Sequence, residues 1–212
     1  MGQKVNPIAL RLGIHHEFKS LGFYPKKTYA KNVLKDIQIR DALFKRLKQA
    51  GVGDIIIERS QNHIKITIYV VRPGIVIGRG GSGLEVLKNE IVKLLKDNVD
   101  ASGEQKIELK VEPIKEPNLN ARIVANNIAD QLIRRMPHRR VMKQTIDRVM
   151  GSGAKGVRIV LSGRIAGAEI SRVERNQAGK LSLSTIREDI DYSQIPALTK
   201  SGYIGVKVWI NK

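Results

Sequence analysis

Gly74-Ile75-Val76-Ile77-Gly78-Arg79-Gly80-Gly81-Ser82-Gly83 is the stretch on which the reading of this chain turns. An apolar run leads into closely spaced glycines, and a strongly patterned helix follows. Glycine has no Cβ to keep a ligand from the backbone, and the free N–H groups at a helix start attract an anion. Three readings fit. Gly78-Arg79-Gly80-Gly81 can bring the backbone against nucleic-acid phosphate. Gly78-x-Gly80-x-x-Gly83 also spells the dinucleotide fingerprint of a small NAD-dependent enzyme, with Ile75-Val76-Ile77 as its leading strand and Asp97 or Asp100 near the place of a ribose-binding acid. In the third reading the glycines serve turn geometry alone. No Lys-Ser or Lys-Thr follows them, which excludes a P-loop.

Outward from the loop, Ser82 and Glu85 have capping-box spacing, and Leu84, Leu87, Ile91, Leu94 and Leu95 form an apolar stripe. Lys106 to Glu112 then alternates, with Ile107, Leu109 and Val111 inward. That single wet face counts against a Rossmann unit, whose next strand is buried on both sides; Pro73-Gly74 also interrupts its supposed leading strand. Upstream, Asp54–Glu58 reads as a strand, Ser60-Gln61-Asn62 as a turn, and Ile64, Ile66, Ile68 and Val70 as the buried face of a hairpin. Before them, Leu34, Ile37, Leu43, Phe44 and Leu47 follow a helical repeat that Gly51 stops. Residues 1–16 lack periodicity and read as an extended arm.

Pro113 and Pro117 bracket a linker. Beyond it, Ala121, Val124, Ala125, Ile128 and Leu132 mark a helix ending near Arg135, and Pro137 suits the first turn of a second helix running to about Met150. Val157, Ile159 and Leu161 alternate as a strand, and two more strands are expected around Lys180–Ile186 and Tyr203–Asn211. The fold class is α+β: an arm over 1–16, a three-stranded domain with helices over 17–116, and two helices on a small sheet over 117–212.

Charge narrows the partner. The chain holds 38 Lys and Arg against 20 Asp and Glu, a formal charge of +18. Residues 1–50 carry a net +8, residues 51–116 none, and residues 117–212 +10. A polyanion is implied, gripped mainly by the two ends. Aromatic residues are only 4% of the chain, which favours phosphate and shape contacts over base stacking. No cysteine is present, so disulfides, thiolate zinc sites and cysteine nucleophiles are excluded. Neither a signal-peptide core nor a membrane-length apolar run is found, so a cytoplasmic protein is expected.

The densest cation cluster is Arg134, Arg135, Arg139, Arg140, Lys143 and Arg148. On a helix from Pro137, Arg139, Arg140 and Lys143 fall within an arc of about 100°. Val141, Met142, Thr145, Ile146 and Val149 take the other side. This is a polyanion face. His15, His16, His63 and His138 lack metal-ligand spacing, and Glu188, Asp189 and Asp191 read as an acidic loop end. Trp209 reads as core or a partner contact. No cofactor, metal site or catalytic set is expected.

The order of elements around Ile77-Gly78-Arg79-Gly80-Gly81 resembles a type II KH domain, in which the loop joins two helices; the resemblance makes Gly74–Ile77 a short helix. Six further blocks resemble, in order, the family of bacterial small-subunit ribosomal protein three. They are Met1-Gly2-Gln3-Lys4-Val5-Asn6-Pro7 with Arg11-Leu12-Gly13, Arg72–Gly78, Gly153-Ala154-Lys155-Gly156, Ser162-Gly163-Arg164, Gly167-Ala168-Glu169-Ile170 and Gly205–Ile210. Gly80 stands where many relatives carry a second basic residue, Arg175 and Asn176 where aromatics are common, and the sequence stops at Lys212 without the tail of many relatives. The resemblance implies a structural, non-enzymatic constituent of the small-subunit head that binds rRNA. It implies RNA contact by Gly78, Arg79, Gly80, Gly81, Lys4, Arg11, Arg134, Arg135 and Arg164. It further implies that Arg139, Arg140 and Lys143 line the mRNA entrance and assist unwinding, that proteins two, ten and fourteen are neighbours, and that the chain is not a homo-oligomer. A free KH regulator of mRNA and the NAD-dependent enzyme remain as alternatives.

Overall fold

The computed structural model describes residues 4–60, 63–96 and 106–212, and the chain divides into two compact units, Phe18–Lys115 and Met1–Glu17 with Glu116–Lys212. The turn residues Gln61 and Asn62, the candidate acids Asp97 and Asp100, and the motif residues Met1, Gly2 and Gln3 lie outside the described residues. In chain order the elements are α1 (Pro7–Leu10), β1 (Ser20–Gly22), α2 (Lys26–Arg46), β2 (Val52–Arg59), β3 (His63–Val70), α3 (Pro73–Ile77), α4 (Ser82–Lys96) and β4 (Lys106–Pro113). They continue with α5 (Ala121–Ile133), α6 (His138–Gly151), β5 (Gly156–Gly163), β6 (Arg172–Gly179), β7 (Ile190–Thr199) and β8 (Gly202–Asn211).

The unit Phe18–Lys115 is built on a sheet of order β1-β2-β3-β4, so the three expected strands gain a fourth, three-residue neighbour in β1. The strands β2 and β3 form the expected antiparallel hairpin, while β1 and β4 add in parallel at its sides. Alternation decides the core: Ile64, Ile66, Ile68 and Val70 are fully buried, with Leu87, Ile91 and Leu95 from α4 packed against them. Helix α2 departs from the expected repeat. Leu43 and Leu47 are buried as read, but Leu34 and Ile37 are exposed, and Ile39 and Asp36 take the inward face. Asp36 is held there by Arg59, whose Nε donates to Oδ1 at 2.6 Å.

The second unit lays α5 and α6 on one face of an antiparallel sheet of order β6-β5-β8-β7. Its core joins Val124, Ile128, Val141, Ile146 and Val149 of the helices to Val157, Ile159, Leu161, Val206 and Val208 of the strands. Asn120 caps α5 by accepting from the N–H groups of Arg122 and Ile123, and Asp191 Oδ2 accepts from Ala121 N at 2.9 Å. Lys180–Ile186 is not a strand; turns and irregular backbone occupy it, and the chain pairs on either side, in β6 and β7. The extended arm is corrected too. Asn6 accepts from Ile8 N to start α1, and the arm docks on this unit.

Candidate nucleic-acid interface

The glycine loop joins two helices, α3 and α4, through a tight non-helical turn at Arg79–Gly81. Ile75-Val76-Ile77 is therefore helical, and the leading strand that a dinucleotide site needs is absent from this place. Gly78 has φ 70° and ψ −178°, a region open essentially to glycine alone. Gly80 and Gly81 also have positive φ, with open space where a Cβ would stand. Gly83 differs: a Cβ there would lie 2.5 Å from the Val76 carbonyl oxygen and 2.9 Å from that of Ile77. It is glycine so that α4 can start against the end of α3. The third glycine of the fingerprint is thus a packing residue. Arg79 is exposed at the loop tip, with Ile75 and Ile77 exposed beside it.

Helix α6 divides as its sequence predicts. Val141, Met142, Thr145, Ile146 and Val149 are buried, and Arg139, Arg140 and Lys143 are exposed. Arg139 and Arg140 occupy the first turn, which contains no acid. Cations there oppose the helix dipole by about 0.3–1 kcal/mol each, and they add to a field that already favours anions. None of the three has an ion-pair partner among the described residues. His138, at the head of the helix, lies 2.8 Å from Glu174 of β6, and Arg172 Nε lies 3.0 Å from the other oxygen of that carboxylate. Sequence reasoning missed this approach of α6 to the sheet edge, because 36 positions of separation leave no local signal.

The remaining cations scatter. Arg134 and Arg135 are exposed past the end of α5, Arg135 in a left-handed conformation (φ 60°) more usual for glycine. Lys4 is exposed. Arg164 is exposed while its Nε donates to the Ala168 carbonyl. Arg11 is a correction. Its guanidinium is fully buried and donates to the carbonyls of Pro7, Leu183, Thr185 and Glu188, so it fastens the arm and presents nothing to RNA. The acidic loop end is likewise structural: Asp189 lies 3.8 Å from His16, and Asp191 caps α5.

A helix–glycine loop–helix carried on a sheet, joined to a second unit with an exposed basic helix, defines an RNA-binding protein built around a KH domain. Residues 38–119 match the family described as KH domain, and residues 128–210 that described as ribosomal protein S3, C-terminal domain. Similar curated proteins include three named small ribosomal subunit protein uS3. That of Desulforamulus reducens is 44% identical over 212 residues, covering 100% of this chain and 92% of the relative. That of Desulforudis audaxviator is 47% identical over 210 residues, covering 99% and 93%, and that of Marinobacter nauticus 45% over 212 residues, covering 100% and 90%. The chain belongs to the small ribosomal subunit protein uS3 family. It is a structural, rRNA-binding constituent of the small subunit and not an enzyme, and the NAD-dependent alternative finds no support.

Proposed function

We propose that the exposed face of α6 lines the track by which mRNA enters the small subunit, and that Arg139, Arg140 and Lys143 help to separate paired message. The observation that carries this is the placement in the acid-free first turn of two arginines with no ion-pair partner among the described residues, with Lys143 one turn further on the same side. Cations fixed along a track favour separated strands by holding their phosphates. Around this site Lys4, Arg134, Arg135, Arg164 and the loop residues Gly78, Arg79, Gly80 and Gly81 contact rRNA. The protein works as a single copy in the head of a cytoplasmic ribosome, beside proteins two, ten and fourteen. Exposed apolar residues on one unit support protein neighbours: Phe18, Leu21, Phe23, Tyr29, Leu34 and Ile37, with Phe23 97% exposed. No helix among the described residues is long and apolar enough to cross a membrane.

The test uses ribosomes carrying Arg139→Ala, Arg140→Ala and Lys143→Ala together. Translation of an unstructured message continues at the parental rate, while a message with a stable downstream hairpin slows. Equal slowing on both messages would indicate an assembly defect and remove the unwinding role from these residues.

A further inference from the structure

The sheet of the second unit has a face that its helices leave open. Strand alternation with unbroken register fixes what stands on it. Val157, Ile159 and Leu161 of β5, with Ile204, Val206, Val208 and Ile210 of β8, belong to the core under α5 and α6. Their neighbours in sequence point the other way. Across the strands one row reads Gln177, Arg158, Trp209, Tyr192, and the next reads Arg175, Val160, Lys207, Gln194. Two further rows carry Val173, Ser162, Gly205 and Pro196, and then Tyr203 with Leu198.

Three properties of this face converge. None of its strand positions is acidic, although three are Arg or Lys; Glu174 and Asp191, the acids of these strands, stand on the helix side. Arg175 and Lys207 have no ion-pair partner among the described residues, and Arg158 donates from Nε to the Gln177 amide oxygen at 2.9 Å. Aromatics are concentrated here in a chain poor in them: Tyr192, Tyr203 and the single tryptophan, out of one Trp, five Tyr and three Phe. Tyr192 and Trp209 pack against each other with ring centroids 5.1 Å apart, and the Tyr192 hydroxyl donates to Gln194 Oε1 at 3.1 Å. Tyr203 stands 67% exposed at the opposite end of the face.

We infer that this open face is a second RNA site, which takes a single-stranded segment with its phosphates on Arg158, Arg175 and Lys207 and unpaired bases against Trp209 and Tyr203. Cations favour the polyanion, rings accept any base by stacking, and the glutamine amides offer donors and acceptors to base edges. A protein partner would use the apolar end, Val173 and Leu198, but an acid-free field of three cations matches phosphate more closely than an apolar surface. The site lies on the side of the sheet away from α6, so it does not rest on the mRNA-track reading.

The single tryptophan makes the test local. The full-length protein is titrated with a ten-nucleotide oligoadenylate and with a fully paired RNA hairpin of equal length, while Trp209 fluorescence is followed. Stacking quenches Trp209 with the single strand and not with the hairpin. The double variant Arg175→Gln, Lys207→Gln, with unchanged circular dichroism and melting temperature, loses at least tenfold in affinity for the single strand. Its log K against log salt slope flattens by about 1.4, from two phosphate contacts at about 0.7 each. An unquenched Trp209 at saturating oligoadenylate, or equal quenching by both RNAs, would overturn the site. So would a folded double variant that binds RNA normally yet fails to join its protein neighbours in subunit assembly.

Discussion

At Gly83 a Cβ would meet two carbonyl oxygens at the end of α3, whereas at Gly74, inside α3, it would meet nothing within 4 Å. The same substitution therefore has opposite signs nine residues apart. Gly83→Ala forces α3 and α4 apart and costs about 1–3 kcal/mol, in the range of overpacked sites. Gly74→Ala restricts the unfolded chain without strain and gains about 0.4–1 kcal/mol. Urea denaturation midpoints of the two variants check both signs. Arg11 shows how a residue's chemistry misleads before its surroundings are known. The family resemblance implies an RNA contact for Arg11, yet an arginine's five-donor fork equally suits the carbonyls of irregular backbone. The segment from Leu183 to Glu188 is such backbone, and Arg11 donates to three of its carbonyls.

Elements whose apolar spacing matches their burial were legible; those that break the rule were not. In α5 and α6 every apolar position read as inward is buried. In α2 the inward face contains Asp36, and a charged residue gives no sign in sequence that it will be buried against an arginine 23 positions away. Strand β6 was missed for the opposite reason. Among the described residues it pairs only with β5, both of its faces stay largely open, and Arg172–Gly179 carries few apolar residues to alternate. The Asp36–Arg59 pair ties α2 to β2 with both side chains almost fully buried. Asp36→Ala leaves the guanidinium uncompensated and costs about 3–5 kcal/mol, while Asp36→Leu with Arg59→Met recovers most of that loss. Thermal unfolding of the two variants and the parent distinguishes a buried pair from a surface one, for which the single substitution would cost less than about 1 kcal/mol.

Over the whole molecule, charge and fold divide the work. The glycine loop marks a KH domain, yet residues 51–116 around it are neutral, and residues 117–212 carry a net +10. The loop was the clearest landmark in the sequence because its backbone geometry demands glycine at Gly78 and Gly83. The basic helix was legible because three cations and five packed residues sort onto opposite sides of one helical repeat. What holds the arm to the second unit was not legible, since it depends on contacts more than 170 positions apart. Phosphate grip should follow charge and not the landmark. The measurement that tests this most directly compares RNA affinity at one moderate salt concentration for two folded variants of the full chain. Arg139→Ala, Arg140→Ala, Lys143→Ala weakens binding more than Arg79→Asp with Gly80→Asp, and flattens the salt slope by about two to three units, at about 0.7–0.9 per phosphate contact. A loop variant that loses RNA while the helix variant keeps it would contradict the account.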